Sequence, residues 1–135
     1  MALLDLVLVI DDDFDDTFFT SRALHESGQV KDVKVIHRAT EAVQYLESLP
    51  LGIYKIPELV LLDLNMHLLD GWDVIAELTE MDNSLLDLDQ IAIFTSSQNP
   101  NDRKRAKEAG VKMFYNKPLT KAVIQEMIDQ VLGHE

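Results

Sequence analysis

Five short segments dominated by apolar residues punctuate this chain: Leu6–Ile10, Val33–Ile36, Leu59–Leu62, Ile91–Phe94 and Val111–Tyr115. Each reads as a strand, and the continuous apolar run Leu6–Ile10 as one buried on both faces. Between them the apolar residues recur at helical spacing. Phe14 to Ser27 is predicted to be a helix, with Phe14, Phe18 and Ala23 or Leu24 facing inward and Gly28 closing it. Thr40 to Leu49 follows, with Ala42, Val43 and Leu46 inward and Pro50 as its stop, and then Gly71–Met81. Asn99 caps a helix that opens on Pro100 and ends at Ala109-Gly110, and Thr120 caps a last one running to about Leu132. The polar segment Asp82–Gln90 reads as a loop. Strict strand–helix alternation predicts an α/β fold, a doubly wound five-stranded parallel sheet with five helices joined by right-handed crossovers.

In such sheets ligands bind beyond the carboxyl ends of the strands, at the point where strand order reverses. The first strand runs into "VLVIDDDFDD", where five of the six residues from Asp11 to Asp16 are acids. The third strand ends at Asp63, the fourth at Thr95 and the fifth at Lys117, followed by Pro118. The predicted fold gathers these groups on one rim. Carboxylates a few ångströms apart in a partly solvated site repel by about 1–4 kcal/mol per pair. They stay ionised only if positive charge offsets them. Lys117 supplies one positive charge, and a hard divalent cation would complete the balance. Oxygen ligands without His or Cys suit Mg2+, or Mn2+ in its place. Mg2+ held by a few carboxylates points to phosphoryl chemistry.

Charge and composition exclude several alternatives. The formal net charge is −12, against general nucleic-acid binding, which needs a basic surface. Residues 1–100 carry −14 and residues 101–135 carry +2, so the last third presents a different face to partners. The absence of cysteine removes disulfides, thiolate metal sites and cysteine nucleophiles. No apolar run approaches the roughly 20 residues needed to span a bilayer. Met1 to Asp5 lacks the basic start of a signal peptide, so a cytoplasmic protein is expected.

Four motifs in order, "VIDDD", "LLDLNM" followed by Asp70-Gly71, "IFTS" and "NKPL", carry a resemblance. Over essentially its whole length, 1–135, the chain resembles the receiver domain of two-component response regulators, the chemotaxis-regulator type with strand order 2-1-3-4-5. The resemblance implies a phosphoacceptor rather than an enzyme acting on other substrates, one that catalyses only its own phosphorylation and dephosphorylation. Asp63 would accept the phosphoryl group from a sensor histidine kinase, a histidine phosphotransfer protein or a small phosphodonor. Asp12, with Asp11 directly or through water, Asp63 and the backbone carbonyl of Asn65, would hold Mg2+. Lys117 would pair with Asp63 and then with a phosphoryl oxygen, and Thr95 would hydrogen-bond another. Phe114, three residues before Lys117, would swing inward as Thr95 moves. The Lys117–Pro118 peptide is implied to be cis. The fourth helix, fifth strand and fifth helix would form the face that meets a protein target or a second copy, with Arg103, Lys104, Arg105 and Lys107 making it less acidic.

Some residues depart from the family pattern or exceed it. His67 stands four past Asp63, where the family most often has Pro, and is expected on a solvated loop. The resemblance implies that Asn65 and Ser97 flank the acceptor at places which, in receivers, influence how fast the phosphoryl group is lost. Asp13 is read as an acid at the helix start, and Asp15 and Asp16 as solvent-facing. The residues after Leu132 hold no second domain, which suits both a single-domain regulator and a receiver cut from a longer chain. The rival reading is a haloacid-dehalogenase-type, Mg2+-dependent phosphatase using Asp11. Its D-x-D-x-T string matches "DFDDT" only in a displaced register, and it leaves Asp63 and Asp70-Gly71 without a role. A calcium loop from Asp11 fails at its sixth and twelfth positions, Asp16 and Arg22. A flavodoxin-like phosphate cradle fails because the acids would repel a phosphate.

Overall fold

The computed structural model describes residues 3–66, 69–81 and 85–133. Its strands are β1 (Leu4–Ile10), β2 (Val30–Ile36), β3 (Leu59–Leu62), β4 (Ile91–Thr95) and β5 (Met113–Asn116). Its helices are α1 (Phe14–Glu26), α2 (Ala39–Ser48), α3 (Gly71–Glu80), α4 (Pro100–Ala109) and α5 (Lys121–Gly133). The strands pair in parallel in the order β2-β1-β3-β4-β5. Order reverses at β1 and β3, and the acids of the sequence lie at the carboxyl ends of those two central strands.

The apolar runs located the strands but not all of their ends. β1 and β2 begin earlier than their apolar stretches because the ladder continues through polar residues, with Leu6 opposite Asp32 and Leu4 opposite Val30. β5 begins later. Val111 is buried but outside the strand, its N–H bonding the Ala106 carbonyl at 2.9 Å to seal the end of α4. Within Asp82–Gln90, residues 82–84 lie outside the described residues, and Leu88–Gln90 forms a 3-10 turn rather than open loop. His67 also lies outside the described residues.

Alternate residues of the sheet feed two cores. Leu8, Ile10, Leu62 and Ile93 pack with Ala42 and Leu46 of α2 and with Val74, Ile75 and Leu78 of α3. Val7, Val9, Leu61 and Phe94 pack with Leu24 of α1 and Ile124, Met127 and Ile128 of α5. Every residue of β3 and β4 is buried, as both-sided coverage requires.

One expectation fails on α1. Phe14 and Phe18 do not face inward: they are 71% and 59% exposed, and Phe19 is 64% exposed. The buried stripe is Thr17, Thr20 and Leu24. Thr17 tolerates burial because its hydroxyl bonds the Phe14 carbonyl at 3.1 Å and meets the His37 ring at 3.1 Å. Phe14 instead stacks on the His37 ring, centroids 3.9 Å apart.

α4 is held differently from the other helices. Asn99 caps it by accepting the Asn101 N–H, and Gly110 ends it with φ at 90°. Its one buried residue is Ala106. The guanidinium of Arg105 lies 4.4 Å from the Trp72 ring centroid and that of Arg103 lies 4.6 Å from the Phe114 ring centroid. α3 opens on a capping box in which the Asp70 side chain accepts from Asp73 N–H at 3.0 Å and the Asp73 carboxylate accepts from Asp70 N–H at 2.9 Å. Asp70→Ala is therefore expected to lower unfolding stability by about 1 kcal/mol in urea titration, without altering the fold.

Candidate functional site

The structure brings Asp11, Asp63 and Lys117 together at the carboxyl rim. Asp11 and Asp63 follow the adjacent strands β1 and β3 and are 3% and 6% exposed. Lys117 follows β5, two strands away, and reaches across β4. Its ammonium lies 2.6 Å from Asp11 Oδ2 and 3.1 Å from Asp63 Oδ2. The Lys117–Pro118 peptide is cis, as the motif implied. The remaining oxygens are also engaged: Asp11 Oδ1 accepts the Asp13 N–H at 3.0 Å and Asp63 Oδ1 accepts the Asn65 N–H at 3.3 Å.

A third carboxylate completes the set. Asp16, expected to face solvent, lies with its Oδ2 2.8 Å from Lys117 Nζ, its side chain 42% exposed. The helix start explains the placement. Asp13 is the N-cap of α1, its carboxylate accepting the Asp16 N–H at 2.9 Å. Asp16 therefore sits in the first turn of α1, on the side that meets Lys117 at the end of β5. The available signal in the sequence was an acid three residues after a capping acid, which is also the pattern of an ordinary solvated helix start.

Electrostatics follow from burial and charge. Burial pushes the Asp11 carboxyl up to about 6, and the charge of Asp63 adds to this, while Lys117 and the Asp13 N–H oppose it. Burial works against the charge of Lys117, but hydrogen bonds to Asp11 and Asp16 and the charges of Asp63 and Asp11 outweigh it and hold the amine protonated well above its usual range. An acid whose folded pKa lies above its unfolded value contributes stability at low pH and loses it as pH rises through about 6. In metal-free buffer, Asp11→Asn is accordingly expected to raise the melting temperature by a few degrees at pH 8. That gain should shrink as pH falls toward 4, and thermal scans of both proteins with EDTA measure it.

Thr95, at the end of β4, is fully buried, and its hydroxyl accepts the Ser97 N–H at 3.2 Å. The Ser97 hydroxyl in turn bonds the Asp102 carboxylate on α4. This hydroxyl chain, absent from the sequence reading, ties the end of β4 to α4. Phe114 is half-buried on β5 under Arg103. Asp12 and Asn65 line an open cleft beside Asp63, with Leu64, Met66 and Asp70. Gly71 packs against the back of the Asp63–Leu64 backbone: a Cβ there would lie 2.5 Å from the Asp63 carbonyl oxygen.

Among the described residues no three His, Asp or Glu side chains are gathered around a common point as metal ligands, and Lys117 lies between Asp11 and Asp63. The donors nevertheless suit one kind of ion. Two buried carboxylates, Asp12 at the cleft and the exposed Asn65 backbone offer oxygen ligands only. That matches Mg2+, which keeps several waters and takes few protein ligands, and not an all-protein cage.

The family model for the response regulator receiver domain matches residues 7–129. The chain belongs to the response regulator receiver domain family. The receiver is 30% identical over 125 residues to the transcriptional regulatory protein PrrA of Mycobacterium tuberculosis, covering 93% of this chain and 47% of that protein. It thus spans about half the length of that curated relative. The bacteriophytochrome response regulator AtBRR superimposes with a TM-score of 0.79 at 28% identity, covering 95% of this chain and 92% of that one. A two-component response regulator from Cytophaga hutchinsonii has the same fold, with a TM-score of 0.85 at 23% identity over 97% and 98% of the two chains. The family match does not favour the haloacid-dehalogenase reading. No described helix of the receiver is long and apolar enough to cross a membrane.

Proposed function

We propose that this receiver is the phosphoacceptor switch of a two-component phosphorelay, with Asp63 the residue that is phosphorylated. The observation that carries the proposal is the Asp63 carboxylate, buried at the end of a central strand and 3.1 Å from a lysine ammonium. A carboxylate oxygen of Asp63 attacks the phosphorus of a phosphohistidine on a kinase or phosphotransfer protein. The P–O bond forms as the P–N bond breaks, leaving an acyl phosphate on Asp63 and returning the histidine to its unphosphorylated form.

Catalysis of such a transfer is positioning and neutralisation of charge on the equatorial oxygens. Asp11, Asp12, Asp63 and the Asn65 carbonyl would hold Mg2+, which when bound supplies positive charge to the phosphoryl oxygens. Lys117 offers its ammonium to a second oxygen, and the Thr95 hydroxyl, leaving Ser97 N–H, donates to a third. The hydroxyl chain from Thr95 through Ser97 to Asp102 supports a route from the site to α4. Movement of Thr95 opens space for Phe114, and its inward swing would break the Arg103 contact and change the face formed by α4, β5 and α5. That face would meet a downstream protein or a second copy, in the cytoplasm.

Incubation with acetyl phosphate and Mg2+ tests this reading. One phosphoryl adduct per chain, acid-stable and base-labile, is expected by mass spectrometry. Rapid multiple turnover of a small phosphate ester with no accumulated adduct would sink it.

A further inference from the structure

Asp16 shares Lys117 with two other carboxylates. An ammonium has three N–H donors and no acceptor. In this structure they meet three carboxylates: Asp11 at 2.6 Å, Asp16 at 2.8 Å and Asp63 at 3.1 Å. The lysine is saturated, and its longest contact is to the phosphoacceptor. To engage a phosphoryl oxygen on Asp63, Lys117 must redirect a donor or share one.

We propose that Asp16 is a positioning residue that holds Lys117 on the α1 side of the pocket and competes with Asp63 for its ammonium. This rests on the phosphoacceptor reading of Asp63. Three features support it. Asp16 is a fixed acceptor, because its own backbone is tied to the Asp13 cap. It approaches Lys117 more closely than Asp63 does. It is also the most exposed of the three acids, so its carboxylate is the least costly to release to water when Lys117 turns to the phosphoryl group. Asp11 is 4% exposed at its side chain and has no such freedom. Asp16 therefore acts as the resting partner of Lys117, and as an extra negative charge that an incoming phosphodonor must approach.

Two readouts test the proposal in the intact chain, with Asp15→Asn, an exposed neighbour on the same turn, as the control. The first needs neither Mg2+ nor a phosphodonor: acylation of Lys117 by an N-hydroxysuccinimide ester, followed by peptide mass spectrometry. Asp16→Asn should raise the Lys117 acylation rate by about fivefold, since a charge-assisted hydrogen bond becomes a neutral one. Asp16→Glu should return it toward wild type, and Asp15→Asn should leave it unchanged. Equal Lys117 reactivity in Asp16→Asn and Asp15→Asn overturns the proposal. The second readout is the rate of adduct formation with acetyl phosphate and Mg2+, expected to rise by about threefold in Asp16→Asn as the competing charge is removed. A slower rate in that variant also overturns it. Melting temperatures of all variants confirm that folded proteins are compared. If the wild-type chain takes no phosphoryl group, the phosphoacceptor reading fails, while Lys117 acylation still decides the role of Asp16.

Discussion

Asp63→Asn is expected to abolish the phosphoryl adduct formed with acetyl phosphate and Mg2+ while leaving the protein folded. The asparagine amide has nearly the shape of the carboxylate and keeps one oxygen, which can accept the Asn65 N–H, while Lys117 retains Asp11 and Asp16 as partners. It lacks the negative charge and the nucleophilic oxygen that bond formation to phosphorus requires. Folding should not suffer, because Asp63 adds to the charge that opposes ionisation of Asp11, and removing it relieves that repulsion. Intact-protein mass spectrometry reads the adduct, and a thermal scan reads the fold. Labelling that persists in Asp63→Asn and disappears in Asp11→Asn would place the chemistry at the end of β1 instead.

The second large effect concerns a residue without a side chain. Gly71→Ala is expected to destabilise the receiver by about 3 kcal/mol, because the added methyl cannot be accommodated by a rotamer change. It would lie 2.5 Å from the Asp63 carbonyl oxygen, 2.9 Å from Leu64 Cα and 3.2 Å from the Asp63 carbonyl carbon, all of them backbone atoms. Gly71 is also hydrogen-bonded to this segment, its N–H donating to the Leu64 carbonyl at 3.1 Å. Relief would push the start of α3 away from the backbone that carries Asp63. Urea titration should show the loss of stability, and the rate of labelling should fall with it. Asp70→Ala separates the two causes: it removes the cap of the same helix without adding an atom behind Asp63. Its labelling rate should stay near wild type. Equal stability losses in the two variants would mean that the helix start, and not the close approach, makes Gly71 necessary.

Much of the site was legible because it lies where local chemistry and global fold agree. Asp11, Asp63, Thr95 and Lys117 each follow an apolar run, and a parallel sheet brings such positions to one edge without further information. Phe14 and Phe18 were misread because a spacing of four defines a helix face but does not say which face is covered. Coverage depends on where β2 and the neighbouring helices lie, and there Thr17 could be buried only because His37 and the Phe14 carbonyl meet its hydroxyl. Gly71 belonged to a recognised motif, but the reason for a glycine was a backbone approach between two elements, which no local pattern records.

The sequence by itself determined the strand–helix alternation, the caps at Asn99 and Thr120, and the identity of the acids and lysine at the strand ends. These follow from periodicity, turn chemistry and residue type, which are local properties. Only the tertiary structure decided which carboxylates share Lys117. Asp16 and Lys117 are 101 residues apart, and their meeting at 2.8 Å depends on the orientation of α1 against the end of β5. A contact of that kind is set by packing on both faces of the sheet, so the same run of acids divides into residues for the site and residues for solvent only once the chain is folded.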